Sequence, residues 1–159
     1  MSRPAGAILP GVLCALLLAS SPAPCFAADG ERKTFEKSFP FAPDRDIPVG
    51  VRAGEVTIES VRIRNWPNAD DFEKAKRDPS DKSTAVVEFT YTNRDGGSDW
   101  KCLYVVTVPG GGGPLGENDR TATLDKGKSH DTNKLFLKLR TADFKVAKTF
   151  KVRFEIWRK

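Results

Sequence analysis

Covalent catalysis needs a nucleophile, a base beside it and a group that orients the base. In this chain those demands converge on very few residues. His130 is the only imidazole, and Cys102 is the only cysteine beyond the first 27 residues. With Asp131 they can be written as a Cys102/His130/Asp131 triad. Cys102, however, shares its alternate-residue parity with Trp100, Tyr104, Val106 and Val108, the inward face of a strand, where an inert buried thiol is expected. One Cys and one His are too few for a tetrahedral zinc site. Asn93-Arg94-Asp95 opens like a calcium loop, but its twelfth position is Tyr104 rather than Glu. Only a weak loop contact through Asp95 and Asp99 is left for that ion.

Gly127-Lys128-Ser129 has the ending of a phosphate loop, yet Ala122 stands where the leading glycine belongs, and strand-like residues follow instead of a helix. The run Pro109-Gly110-Gly111-Gly112-Gly113-Pro114 has no helix behind it either, so it reads as a strand connection. The carboxylate pairs Asp70/Asp71 and Asp44/Asp46 sit among Lys and Arg in polar stretches, where no raised carboxyl pKa is expected. These residues predict a protein that is not an enzyme, has no catalytic site, and needs neither metal nor cofactor.

Charge gives the stronger lead. From Ala28 to Asp119 there are thirteen basic and seventeen acidic residues, whereas from Arg120 to Lys159 there are twelve basic and four acidic ones. On the last strand Lys151, Arg153 and Trp157 share the outward parity, with Lys145 and Lys148 just before them. Cations beside an indole are the chemistry of an anionic glycan, a lipid headgroup or an acidic protein surface. Lys145, Lys148, Lys151, Arg153 and Trp157 are therefore the candidate binding residues. The competing reading is a solvated face that protects a sheet edge, balanced by the acidic stretch Pro67 to Ser83 folding back over it. No nucleic-acid motif accompanies the basic residues, so nucleic acid is not expected as a partner.

The elements that must hold these residues are almost all strands. Period-2 apolar rows run through Phe35/Phe39/Phe41, Ile47/Val49/Val51, Val56/Ile58, Val61/Ile63, Ala85/Val87/Phe89/Tyr91, Trp100 to Val108, Ala122/Leu124, Leu135/Leu137/Leu139 and Phe150/Val152/Phe154/Ile156. The first two rows read as an edge-like strand pair. The parity switches between Ile58 and Val61, which predicts a bulge near Glu59-Ser60. The turn around Asp95-Gly96-Gly97 predicts a hairpin between the strands on either side. The exception is Pro67 to Ser83, where Asn68 can cap, Asp70/Lys74 and Glu73/Arg77 are four apart, and Pro79 stops the run, predicting a surface helix at 69–77. Trp66 is expected to cover the core edge and Trp100 to pack inside. Seven or eight strands with one long crossover define an all-β, two-sheet Greek-key immunoglobulin-like sandwich with one short surface helix.

At 159 residues the chain suits one domain. Residues 1–27 read as a secretory signal peptide: Arg3, then an apolar stretch from Ile8 to Ala19, then Cys25-Phe26-Ala27 as a small-residue cleavage site. That stretch is too short to span a bilayer, no second one follows, and Cys25 lacks the context of a lipoprotein. Residues 28–159 then form a single sandwich domain with Cys102 alone, no disulfide and no transmembrane segment, so the core must hold the fold unaided. The expected location is the periplasm or the extracellular space.

From Glu88 to Leu139, the string Phe89-Thr90-Tyr91-Thr92-Asn93, then Tyr104-Val105-Val106-Thr107-Val108, a glycine turn, and Leu124-Asp125-Lys126-Gly127 resembles the small immunoglobulin-like or fibronectin-III-like sandwiches of exported bacterial proteins, including the FxLYD type. The resemblance covers about half of residues 28–159 and implies an extracytoplasmic interaction module; it carries over no catalytic residue. The expectation is a non-enzymatic exported module that binds another envelope or extracellular component, an unknown protein or an anionic glycan. The alternative is an anionic glycan or lipopolysaccharide binder acting through the basic C-terminal strand.

Overall fold

The computed structural model describes residues 31–159, so the proposed leader at 1–27 lies outside the described residues. Eight strands and two short helices follow one another: β1 (Lys33–Pro40), β2 (Ile47–Ala53), β3 (Val56–Arg64), α1 (Ala69–Arg77), β4 (Lys82–Asn93), β5 (Trp100–Gly110), β6 (Gly113–Leu124), β7 (Asp131–Arg140), α2 (Asp143–Val146) and β8 (Thr149–Arg158). They form two antiparallel four-stranded sheets, A in the order β1-β8-β5-β6 and B in the order β2-β3-β4-β7. The molecule is the two-sheet β-sandwich that the alternating pattern requires.

Alternation explains the layering directly. In β8, Phe150, Val152, Phe154 and Ile156 are fully buried while Lys151 and Arg153 face solvent; in β7, Leu135, Leu137 and Leu139 are buried between Lys134, Phe136 and Lys138. The inward rows of both sheets meet in one core. At its centre Phe89 of sheet B stacks on Tyr104 of sheet A at 4.3 Å, and Phe154 stands edge-on to both at 5.9 Å. Trp66 closes one end of the core in an aromatic group with Phe41 and Phe144, as its position before Pro67 suggested. Trp100 packs over Gly54, whose φ of +57° and closeness to the indole leave no room for a side chain.

The helix at 69–77 and the bulge at Glu59-Ser60 form where expected. Asn68 and Asp71 make a reciprocal capping box, so two otherwise orphaned N–H groups are satisfied. The ion pairs differ from the spacing-based expectation. Lys76 pairs with Glu73 at 2.6 Å and Lys74 with Asp81 beyond the helix at 2.7 Å, because the chain folds back after Pro79 and brings Asp81 within reach.

Three expectations about connectivity are corrected. First, β1 and β2 do not pair; they are the edges of opposite sheets, closed against each other by Lys37 Nζ donating to the Val49 carbonyl at 2.6 Å. Second, β4 and β5 are not a hairpin but lie in different sheets. The buried Asn93 side chain donates to the carbonyls of Leu124 (2.8 Å) and Ser98 (3.2 Å), and Asp95 accepts from Gly97 and Ser98 N–H, so side chains fold this connection into an arch over the sandwich end. Third, α1 sits on a local excursion between β3 and β4, neighbours in sheet B, rather than on a crossover. The glycine run is the strand connection expected of it, a tight hairpin in which Gly110 pairs with Gly113, but β6 beyond it is twelve residues long, well past the Ala122/Leu124 row.

The length of β6 was hidden because Asn118 and Arg120, on its inward parity, are polar. Both donate across the sandwich seam to β7, Asn118 Nδ2 to the Phe136 carbonyl at 2.6 Å and Arg120 to the Lys134 carbonyl, which caps groups that would otherwise present a free sheet edge. The second helix, α2, was not foreseen. Its Phe144 joins the Trp66 cluster, and its buried Asp143 is gripped bidentately by Arg140 at 2.9 and 3.0 Å.

Candidate functional site

The residues singled out for catalysis are kept apart. Cys102 is fully buried on the inner face of sheet A, and burial pushes its thiol up to about 12, only partly offset by the nearby Tyr104 hydroxyl. His130 lies beyond the other sheet with its ring bonded to Glu59, and Asp131 accepts from the Tyr91 hydroxyl at 3.1 Å. The three therefore do not form a triad. A thiol reagent at neutral pH is expected to modify Cys102 on the order of a thousandfold more slowly in the native protein than in urea, following the loss of thiolate. Comparable rates in the two states would show that the strand is not sealed. Asp95 is equally committed, with one oxygen on two backbone N–H groups and the other taking the Trp100 indole N–H at 3.1 Å beside Arg158.

The five candidate binding residues do not converge on one site. Lys151 and Arg153 are together, side by side on the outer face of sheet A, in a hollow of about 310 Å³ that they share with Glu36 and Glu117. The register aligns Arg153 with Glu36 and places Thr107 between Lys151 and Glu117. Trp157 lies six residues from Lys151 along β8, about 20 Å away, and its ring is covered by the Arg32 guanidinium at 4.3 Å. Lys145 stacks on the Phe72 ring of α1 at 4.1 Å. Lys148 lies between α2 and β8, at the rim of a separate shallow depression with Val146 and Leu115.

The division of charge along the chain also changes on folding. Cations of the C-terminal part meet acids of the N-terminal part in the pairs Lys134–Glu88 (3.3 Å), Arg158–Asp95 (3.3 Å) and Lys159–Asp99 (3.9 Å). At these distances two opposite halves become a mixed surface.

A different group of residues converges on the outer face of sheet B. Ser60 on β3, Thr90 on β4 and Thr132 on β7 stand opposite one another in a single row across the three strands. The bulge turns Glu59 outward beside Ser60. Glu59 Oε1 accepts the Thr92 hydroxyl at 2.6 Å, Oε2 meets His130 Nδ1 at 2.7 Å, and the His130 backbone N–H donates back to Thr92 Oγ1 at 3.1 Å. This closed ring fixes His130, which holds a left-handed φ of +54°, at the mouth of β7. On the other side of the hydroxyl row, Arg62 forks onto Asp46, while Glu88 receives both Arg64 and Lys134. Together these walls enclose an open groove of about 520 Å³. Among the described residues, no hydroxyl of the groove is bonded to the His130 ring.

Burial pushes the Glu59 carboxyl up, but the hydrogen bonds from Thr92 and His130 and the charges of His130 and Arg94 outweigh it and hold the group below the ordinary glutamate value. A carboxyl lowered on folding contributes stability that is complete above its unfolded value and lost as pH falls through the folded one. Below about pH 4.5 the wild type is expected to lose stability more steeply than Glu59→Gln in parallel urea titrations. Identical acid limbs would show that the ring does not persist in solution.

Sequence reasoning passed over this group because its members come from separate strands and none is unusual alone. The one available signal was the bulge, which does place Glu59 and Ser60 at an irregular, outward position. No protein-family model, curated protein or solved structure matches the chain. Fold and surface alone define its class: an antiparallel β-sandwich with polar grooves on the outer faces of both sheets, in which no helix among the described residues is long and apolar enough to cross a membrane.

Proposed function

We propose that this protein is an exported, non-enzymatic immunoglobulin-like module that binds another component of the envelope or the extracellular space. The observation that carries this reading is the sheet B groove, whose charged walls are already paired and held by strands on a packed core. Such a surface is organised before any partner arrives and loses little entropy on binding. The leader-like pattern of residues 1–27 supports export, and the resemblance to small exported bacterial sandwiches of the FxLYD type agrees with it. The sealed Cys102 and the commitment of the His130 ring to Glu59 support binding over turnover.

The anionic-glycan reading keeps one favourable observation, the hollow holding Lys151 and Arg153, but Glu36 and Glu117 stand in the same hollow and weaken its pull on an anion. A cross-linked pull-down from the producer's envelope fraction separates the two. The proposal expects capture by wild type and by Lys151→Glu/Arg153→Glu, and loss of capture with Thr132→Tyr, which fills the groove. The reverse pattern, with retention on a sulfated-polysaccharide column that collapses as salt rises, would move the function to the last strand.

A further inference from the structure

The groove on sheet B combines a row of three hydroxyls with walls of paired charges. Among the described residues, the side-chain hydroxyls of Ser60, Thr90 and Thr132 have no hydrogen-bond partner, although they line a concave surface of about 520 Å³, a size typical of small-ligand sites. A hydroxyl both donates and accepts, so a row of three on adjacent strands, roughly 4.8 Å apart, matches a ligand that itself carries hydroxyls at ring spacing. The carboxylates at the walls, Asp46 and Glu88, are oriented by Arg62 and Arg64 and retain lone pairs to accept from such a ligand. Every wall charge has an opposite partner within the protein, so neither a polyanion nor a polycation gains net attraction there.

A fourth feature lies on the same face. Phe136 is 56% exposed, one of two large apolar side chains so exposed among the described residues. It follows Thr132 and Lys134 on the outward parity of β7, about 13 Å along the strand from Thr132. An exposed ring on the same sheet face as the hydroxyl row, about 13 Å along the strand from it, offers a platform for the apolar C–H face of a sugar while rings further along the chain meet the hydroxyls. We propose that the outer face of sheet B is a binding site for an uncharged oligosaccharide, with Ser60, Thr90 and Thr132 hydrogen-bonding one ring and Phe136 stacking on another. This rests on the reading of the protein as a binding module and names its ligand class.

The test is amide chemical-shift mapping of the purified protein titrated with uncharged cello-, malto-, xylo-, manno- and chitooligosaccharides, each to about 10 mM so that millimolar affinities register. At least one is expected to shift the amides of Ser60, Thr90, Thr132 and Phe136, with an affinity insensitive to added salt. Thr90→Val and Thr132→Val keep a branched strand side chain and remove only the hydroxyl, so each should weaken binding about three- to tenfold. Silence at these amides with all five sugars, equal binding by the valine variants, or shifts produced only by heparin oligosaccharides and erased by salt would each overturn the site. Capture of an envelope component by the wild type alongside a silent groove would overturn this inference alone, whereas loss of both would remove the binding-module reading with it.

Discussion

Phe154→Ala is expected to lower the unfolding free energy by about 3–5 kcal/mol, the range for removing a large aromatic from a packed core. Phe154 is fully buried on β8, the strand between β1 and β5, and its ring stands edge-on to Phe89 and Tyr104 at 5.9 Å each. Phe89 belongs to sheet B and Tyr104 to sheet A, so the three rings join the two layers at the middle of the sandwich. With no disulfide among the described residues, the packing of the sheets is what keeps them together. Tyr104→Phe provides the control of opposite sign. The Tyr104 hydroxyl is buried near Cys102 and Asn133 without a hydrogen bond, so its removal should leave stability unchanged or raise it by about 1 kcal/mol. Urea denaturation of the two variants checks both. A loss under 1 kcal/mol for Phe154→Ala, or a large loss for Tyr104→Phe, would contradict this account of the core.

Asn93→Ala is expected to cost about 2–4 kcal/mol, because several hydrogen bonds fail at a buried site and leave carbonyls without donors. Asn93 is 1% exposed. Its amide nitrogen donates to the carbonyls of Leu124 and Ser98, its side-chain oxygen accepts from the Asp95 N–H at 2.9 Å, and its backbone N–H donates to Lys128 at 2.8 Å. One side chain thus ties the β4–β5 arch to the end of β6, and its neighbour Asp95 carries the tie on to Trp100 and Arg158. Asn93→Asp is the informative partner. It keeps the acceptor for Asp95 but loses both donors, so it should be nearly as damaging as alanine. Thermal and urea unfolding of both variants reads the cost, and a wild-type-like Asn93→Asp would show that the two donated bonds carry little.

These two positions also show what was legible in the sequence. The inward parity of Phe89, Tyr104 and Phe154 is plain from alternation, and so is the sandwich that must bury three such rows. The bulge is legible because a parity switch inside an apolar run has one simple cause. What alternation does not encode is which rows lie side by side. Asn93 and Asp95 looked like the start of a hairpin turn because Asp-Gly-Gly commonly is one, yet here their side chains supply the bonds that a strand ladder would have made. The inward parity of β6 looked polar because Asn118 and Arg120 seal the seam with β7 instead of filling the core. Gly116 stands where a Cβ would meet Leu139 and the Lys138 carbonyl at about 3 Å, for the same reason of close approach.

The surface was less legible than the core. That Lys151 and Arg153 point outward follows from their strand, but the acids beside them, Glu36 and Glu117, arrive from β1 and β6 through pairings that the pattern does not specify. The sheet B groove depends at once on two registers, β3 with β4 and β4 with β7, and on the bulge between Ile58 and Ser60. A one-residue slip in any of them would turn its hydroxyls away from one another.

On the function proposed above, the partner docks on the outer face of sheet B. The direct measurement is site-specific photo-cross-linking in producing cells, with a photoreactive phenylalanine analogue placed at the exposed Phe136 in one variant and at Lys151 in another. A discrete adduct is expected from position 136, diminished by Thr90→Val in the same chain, and none from position 151. A discrete adduct from position 151 with none from position 136 would overturn that placement and assign the contact to the last strand of sheet A.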